Sequence, residues 1–144
     1  MIQISDKHPD VLRLRAEWKL HGNIILEVNY DDTIHPWKRP AIELKETIEL
    51  IKDAQLVGAY VVITDTCNED RHQEIRDYCR SIGIRVDAIN SNPISLPWGG
   101  ENKVYANHIL NDRAGLEEAK AILYNSIWWQ RSYKRSLVHL DEIG

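Results

Sequence analysis

Side chains that can bind metal ions and anions follow four apolar runs of the chain. These polar segments are residues 29–33, 64–68, 90–103 and 111–113, and they include aspartates, asparagines, threonines and Lys103. Carboxylate and carbonyl oxygens are the ligands that hard cations such as Mg²⁺ prefer. Hydroxyl and ammonium groups stabilise anionic oxygens. The four segments are therefore the candidates for a functional site.

The elements that must position these segments alternate between strand and helix patterns. Short apolar, β-branched runs predict buried strands, and apolar residues at helical spacing predict amphipathic helices. The predicted strands are 24–28, 57–63, 84–89 and 104–110, and the predicted helices are 41–54, 68–82 and 115–138. This order is typical of a doubly wound parallel α/β sheet flanked by helices. Ligands bind beyond the carboxyl ends of such strands, which is where the polar segments lie.

The residues at these strand ends follow a recurring order. The run Val-Asn-Tyr-Asp-Asp-Thr at 28–33 is similar to an apolar strand that ends in Asp-x-Asp-x-Thr, and residues 61–66 form an apolar strand that ends in threonine. Lys103 precedes the fourth strand, and residues 109–114 resemble a strand that ends in an acidic pair. In this order, the chain resembles the haloacid-dehalogenase-like (HAD) phosphohydrolases over about residues 23–124. The resemblance implies a Rossmann-like, HAD-type sheet.

The resemblance also implies roles for individual residues in the hydrolysis of phosphate monoesters. In the family, a carboxylate attacks phosphorus and forms an aspartyl-phosphate. Asp31 matches the residue that protonates the leaving group and then activates water. Thr66 matches the hydroxyl that binds the phosphoryl oxygens, with Thr64 as the alternative, and Lys103 matches the phosphate-binding lysine.

Two asparagines depart from the pattern of the family. The resemblance places Mg²⁺ at Asp31, Asn111 and Asp112, but Asn111 stands where the first acid of the final pair is expected. Asn29 stands at the position of the nucleophile. A neutral amide cannot replace a nucleophilic carboxylate, and both asparagines remove negative charge from the metal site. The sequence therefore predicts weakened Mg²⁺ binding and impaired or lost hydrolysis, as in a pseudo-phosphatase.

Further residues near the first motif are candidates for contact with a phosphorylated small molecule. Asp32 stands where the family often has glycine, and Thr33 matches the threonine of the motif. Arg39 or Lys38 would contact the phosphate-bearing substrate, although a solvated basic turn is the favoured interpretation. Only about thirty residues, filled by one helix, separate the first two motifs, which predicts no cap domain and an open cleft. Trp98 belongs either to a lid or to a locally packed surface loop.

Composition limits the classes of protein to which the chain can belong. Its 144 residues fit a single domain, 1–144, and its net charge of −4 gives no reason to expect nucleic-acid binding. No apolar run approaches the roughly 20 residues that span a bilayer, and the N-terminus lacks a signal-peptide pattern. These features predict a cytoplasmic protein that does not bind membranes. Cys67 and Cys79 are predicted to be free thiols.

Tryptophans mark both terminal helices of the chain. Residues 1–22 look like an appended helix in which Val11, Leu14 and Trp18 form an apolar stripe. Trp128 and Trp129 are adjacent on the last helix, so they point about 100° apart and cannot both face one core. Tryptophan is enriched in protein interfaces, so these helices pack either on the core of the domain or in a homodimer interface. The alternative function is a non-catalytic binding or assembly module.

Overall fold

The computed structural model describes residues 1–66, 68–94 and 104–143. Its helices are α1 (Pro9–His21), α2 (Ala41–Leu56), α3 (His72–Ser81) and α4 (Leu116–Ile143), and a 3₁₀ turn (Glu69–Arg71) precedes α3. Its strands are β1 (Ile24–Asn29), β2 (Ala59–Thr64), β3 (Ala88–Ile89) and β4 (His108–Leu110).

The four strands form one parallel sheet in the order β3-β2-β1-β4. Val28 of β1 lies beside Ile63 of β2 and Leu110 of β4, so these three strands end at almost the same level. The prediction of a parallel α/β sheet flanked by helices is confirmed. Because all strands run in one direction, the segments that follow β1, β2 and β4 meet at one edge of the sheet.

The main core lies on one face of this sheet. Leu26 and Val28 of β1 point into it because alternate strand residues share a face. Each of the four helices contributes buried apolar residues to the same cluster, which includes Trp18, Ile51, Ile75, Cys79 and Leu123. A smaller cluster on the opposite face contains Ile25, Val62 and Ala88, and within the described ranges no helical residue joins it.

Both edge strands are shorter than predicted, for the same physical reason. The predicted strand 84–89 pairs only at Ala88–Ile89, because the Asp87 carboxylate accepts the Val61 N–H at 2.7 Å in place of a backbone carbonyl. The predicted strand 104–110 pairs only from His108, because the Asn107 side-chain oxygen accepts the Ile25 N–H at 2.7 Å. A side chain therefore ends the backbone ladder on each edge.

Other boundaries also differ from those predicted. The helix predicted at 68–82 starts as the 3₁₀ turn, and α4 continues to Ile143 instead of ending at 138. Strand β2 begins at Ala59, two residues later than predicted, because the preceding Gly58 has a φ of 104°. A side chain at Gly58 would also lie 2.8 Å from a backbone oxygen, so this turn requires glycine.

The appended N-terminal helix is present and packs on the end of the chain. Val11, Leu14 and Trp18 of α1 are fully buried, as the apolar stripe predicts. The indole Nε1 of Trp18 donates to the Val57 carbonyl oxygen at 3.1 Å, which ties α1 to the turn before β2. Helix α1 ends at His21 and is capped by Gly22, which has a φ of 78° and donates its backbone N–H to the Trp18 carbonyl oxygen.

Two smaller expectations bear on the rest of the described chain. Cys79 is a free thiol buried in the core, and burial raises its pKa to about 12, whereas Cys67 lies outside the described residues. Among the described residues, none of the helices combines the length and the apolar character needed to cross a membrane.

Candidate functional site

A cleft of about 250 Å³ opens at the carboxyl edge of the sheet, where β1, β2 and β4 end. The residues that line it are Asn29, Asp31, Asp32, Trp37, Asp65, Thr66, Asn111, Asp112 and Arg113. Six of the predicted site residues are therefore brought together, although 83 positions separate Asn29 from Asp112. Arg39 does not line the cleft, and Lys103 and Trp98 lie outside the described residues.

Asn29 is the last residue of β1, and its side-chain amide spans the cleft floor. The amide nitrogen donates to the Asp31 carbonyl oxygen at 3.0 Å and to Asp112 Oδ1 at 3.1 Å. Two oxygens thus converge on a single N–H₂ group at the position that the resemblance assigns to the nucleophile. This contact holds the segments after β1 and β4 together by a neutral group.

Thr33 positions Asp112 from beneath the cleft. Its side chain is fully buried and does not line the cavity. The hydroxyl donates to Asp112 Oδ1 at 3.3 Å and accepts the Asp112 backbone N–H at 3.1 Å. The two bonds fix both the backbone and the carboxylate of Asp112, so the described contacts of Thr33 are with the protein.

The Asp31 carboxylate is engaged by two neighbouring side chains. Arg71 donates to both of its oxygens, at 3.1 and 3.2 Å, and His35 Nδ1 donates to Oδ1 at 2.9 Å. Burial alone would raise the pKa of Asp31, but the hydrogen bonds and charges of Arg71 and His35 outweigh it, and the net pKa is lowered. A lowered pKa keeps Asp31 ionised near neutral pH, so it carries no proton to give to a leaving group, which is unfavourable for a general acid.

Asp32 organises the turn that follows β1. It has a positive φ of 61°, and its Oδ1 accepts the backbone N–H groups of Trp37, Lys38 and Arg39 at 3.3, 2.8 and 2.8 Å. Burial raises the pKa of Asp32, but the hydrogen bonds from these N–H groups lower it by more, so the net pKa lies below the ordinary value. Arg39 therefore contributes its backbone to this turn, while its side chain is exposed.

The segment after β2 carries the two threonines considered for phosphate binding. Thr66 lines the cleft, whereas the Thr64 hydroxyl donates to the Val28 carbonyl oxygen at 3.5 Å. Asp65 also lines the cleft, and it is fixed by Asn90, whose amide exchanges two hydrogen bonds with the Asp65 backbone. Of these positions, Thr66 is the hydroxyl that faces the cavity.

Two residues of the site gave no signal in sequence. Asp65 falls in one of the polar segments but matches no family motif, and Arg71 lies in a predicted helix, where an arginine is ordinary. Arg71 contacts Asp65 Oδ2 at 3.3 Å as well as Asp31. Arg71 thus joins Asp31, 40 residues away, to Asp65, 6 residues away, and the tertiary fold is what brings these three side chains together.

The oxygens at the cleft floor are of the type that Mg²⁺ prefers, but they carry less negative charge than a strong Mg²⁺ site needs. Asp112 and the Asp31 carbonyl oxygen point to a shared position, and the Asn29 amide oxygen would join them if the amide were rotated. Asn111 Oδ1 instead accepts the Arg113 N–H at 3.0 Å. Of the two predicted metal ligands that have a carboxylate, Asp31 is paired with Arg71 and Asp112 is not.

The comparisons with known proteins identify no relative. No family model, no curated protein and no solved structure matches the chain.

Proposed function

We propose that this chain is a HAD-like pseudo-phosphatase, in which a phosphate-monoester site has lost the group that forms the covalent intermediate. The observation that carries the proposal is the Asn29 amide, which bridges the Asp31 carbonyl oxygen and Asp112 at the end of β1. An amide there has no nucleophilic oxygen anion, so phosphate-monoester hydrolysis is impaired or absent.

The neighbouring residues support an inherited phosphate site. Thr66 supplies a hydroxyl to the same cleft, and Arg113 supplies a cation to its wall. Mg²⁺, when bound, would neutralise charge between a phosphate and the carboxylates, and Asn29, Asp112 and the Asp31 carbonyl oxygen are the groups that would hold it. Asp112 is the one carboxylate in this set, because the Asp31 carboxylate is paired with Arg71, and a single carboxylate makes the binding of Mg²⁺ weak.

The finer description of the fold belongs to the same proposal. A HAD-type sheet without a cap domain would leave the cleft open to solvent. A doubly wound sheet would carry helices on both faces, whereas the described helices contribute to the core on one face. An open cleft of about 250 Å³ accommodates a phosphate group, while the remainder of a phosphorylated small molecule extends beyond it.

The first test is phosphate release from an aryl phosphate in the presence of Mg²⁺. The chain as given is compared with the Asn29→Asp and Asn29→Asp/Asn111→Asp variants. We expect no turnover from the given chain and measurable turnover from both variants, with the double variant more active because it regains two anionic groups. Asn125→Asp, on α4 and outside the cleft lining, is the matched control and should stay inactive.

Two results would contradict the proposal. If both variants are folded by circular dichroism and still inactive, the cleft is not a phosphatase scaffold. If the given chain already turns over as fast as Asn29→Asp, the nucleophile lies elsewhere and the role assigned to Asn29 is wrong.

A second candidate function, assembly through the terminal helices, has its own observation. Tyr124 and Trp128 lie four residues apart on α4, and their side chains are 55% and 51% exposed. Ile2, 49% exposed, belongs to the N-terminal segment that shares a surface pocket with Tyr124. A neighbouring pair of exposed rings beside an apolar side chain favours a homodimer contact over a solvated helix face.

A further inference from the structure

One tryptophan stands on the wall of a cleft that is otherwise polar. Within the described lining of the cleft, Trp37 is the sole aromatic or aliphatic side chain. It is 61% exposed, although tryptophan is usually largely buried. An exposed ring beside a polar cleft offers a flat surface to whatever occupies the cleft.

Hydrogen bonds fix the backbone of the loop that carries Trp37. The Asp32 carboxylate is nearly buried and accepts the N–H groups of Trp37 and of the next two residues. Asp32 is itself tied to the loop, because its own N–H donates to the His35 carbonyl oxygen at 2.8 Å. A ring on a loop fixed in this way loses little conformational entropy when a ligand stacks on it.

One cationic side chain lies against the Trp37 ring and another on the cleft wall, while four aspartates line the rest of the cleft, so a phosphate would enter it together with Mg²⁺. The Lys38 ammonium lies 4.7 Å from the centroid of the Trp37 ring, and Arg113 is part of the same cleft wall. A cation against one part of the ring leaves the remaining exposed surface available for stacking, and successive bases of nucleic acids are bound by aromatic rings in this way.

The size of the cleft separates the phosphate from the group that would meet Trp37. A cavity of about 250 Å³ is smaller than the pockets that enclose whole drug-sized ligands. A ring bonded directly to phosphate would have to sit inside the cleft with it. A sugar between phosphate and ring instead provides a spacer between the cleft floor and its exposed wall.

We infer that the ligand of this cleft is a nucleoside 5′-monophosphate, whose base stacks on Trp37 while its phosphate enters the cleft beside Thr66. This inference rests on the proposed phosphate site and adds the class of molecule that carries the phosphate. Trp37 is then the residue that selects nucleotides over sugar phosphates.

The test is calorimetric titration of the full chain, with Mg²⁺, using adenosine 5′-monophosphate, ribose 5-phosphate and phenyl phosphate. The variants are Trp37→Ala and Trp37→Phe, and Trp128→Ala removes a similarly exposed tryptophan on α4 as the control. We expect the nucleotide to bind roughly tenfold more tightly than ribose 5-phosphate, the size of one base–aromatic stack. Trp37→Ala should abolish this preference without weakening ribose 5-phosphate, and Trp37→Phe should keep most of it.

The other outcomes separate the two levels of the argument. Equal binding of the nucleotide and ribose 5-phosphate, or a preference for phenyl phosphate, overturns the inference and leaves the phosphate site standing. An equal loss of affinity for the nucleotide and for ribose 5-phosphate in Trp37→Ala also overturns the inference, since Trp37 would then affect binding of the phosphate and not of the base. If no ligand binds to the given chain, both the inference and the proposed phosphate site are wrong.

Discussion

At the scale of single residues, the state of two side chains decides which chemistry the cleft can perform. Asn29 places a neutral amide where the resemblance expects an anionic nucleophile, and it is saturated by two oxygens of the protein. Asp31 keeps its charge because Arg71 and His35 hold it as a carboxylate. Both features oppose covalent phosphoryl transfer, the first by removing the nucleophile and the second by lowering the pKa of the acid.

The contact between Arg71 and Asp31 gives a pH-dependent prediction. The folded pKa of Asp31 is lower than its unfolded value of about 3.9, so the pair stabilises the fold fully above roughly pH 4. That stabilisation is lost as the pH falls through the folded pKa. Arg71→Gln should raise the Asp31 pKa, lower the free energy of unfolding at pH 7 by about 1–3 kcal/mol and weaken the acid-side pH dependence.

Carboxyl-carbon NMR titration and urea unfolding at pH 7 and pH 3 would measure these effects. Arg80→Gln is the matched control, because the Arg80 side chain is 79% exposed and its ion pair with Asp77 spans 3.7 Å. An unchanged Asp31 titration in Arg71→Gln would show that the ion pair does not set its pKa.

At the scale of elements, side chains substitute for backbone where the sheet ends. Asp87 and Asn107 each stand one residue before an edge strand and accept an N–H from the neighbouring central strand. The Asp87 and Asn107 N–H groups complete these pairs by donating to Val61 and Ile25 carbonyl oxygens, each at 2.9 Å. Edge strands that are short and are preceded by such a polar side chain offer little free backbone to another chain.

Helix α1 is joined to the domain chiefly by burial, and Trp18 carries the prediction for this element. Its ring is fully buried and its Nε1 donates to Val57. Trp18→Ala should lower the free energy of unfolding by about 3–5 kcal/mol, because it leaves a large cavity. Trp18→Phe should cost about 1–3 kcal/mol, because it fills most of the space but leaves the Val57 carbonyl oxygen unpaired.

Urea unfolding of the three proteins would test this order. Trp37→Ala, which removes a ring that is 61% exposed, should change the free energy of unfolding by no more than about 0.5 kcal/mol. If Trp18→Ala changes the free energy of unfolding as little as Trp37→Ala does, α1 is not part of the core of the domain.

At the scale of the whole molecule, the cleft and the exposed rings of α4 involve different residues. The cleft is formed by the loops after β1, β2 and β4, whereas Tyr124 and Trp128 lie on a helix and outside its lining. Binding at the cleft and assembly through α4 can therefore be altered separately by mutation.

The assembly surface predicts the oligomeric state. If Tyr124 and Trp128 form a homodimer contact, the chain should have twice its 16.7 kDa mass in solution. Trp128→Glu should shift it to the monomer, because a charge in an apolar contact is costly to bury. Light scattering coupled to size-exclusion chromatography would measure both masses. Leu20→Glu, at an exposed position of α1, is the control, and a monomeric parent chain would rule out the contact.

Much of the fold and part of the cleft could be predicted from local sequence. Apolar spacing is a local property and predicts the strands and helices. The resemblance of the residues after the strands to the family motifs then singles out Asn29, Asp31, Thr66 and Asp112. The edge strands are shorter than predicted. Local sequence does not reveal that the side chains of Asp87 and Asn107 take the place of backbone carbonyl groups in pairing with the neighbouring strands. Arg71 was missed because its partners are distant in sequence.

The alternation of strands and helices and the absence of a carboxylate at position 29 follow from the identity and spacing of residues along the chain. The surroundings of these residues depend on how the chain folds. The tertiary structure places the Asn29 amide against Asp112, pairs Asp31 with Arg71 and leaves the Trp37 ring exposed beside the cleft. The reason is physical: hydrogen bonds, ion pairs and exposure depend on distances in space, and parallel strands bring distant segments to one edge of a sheet.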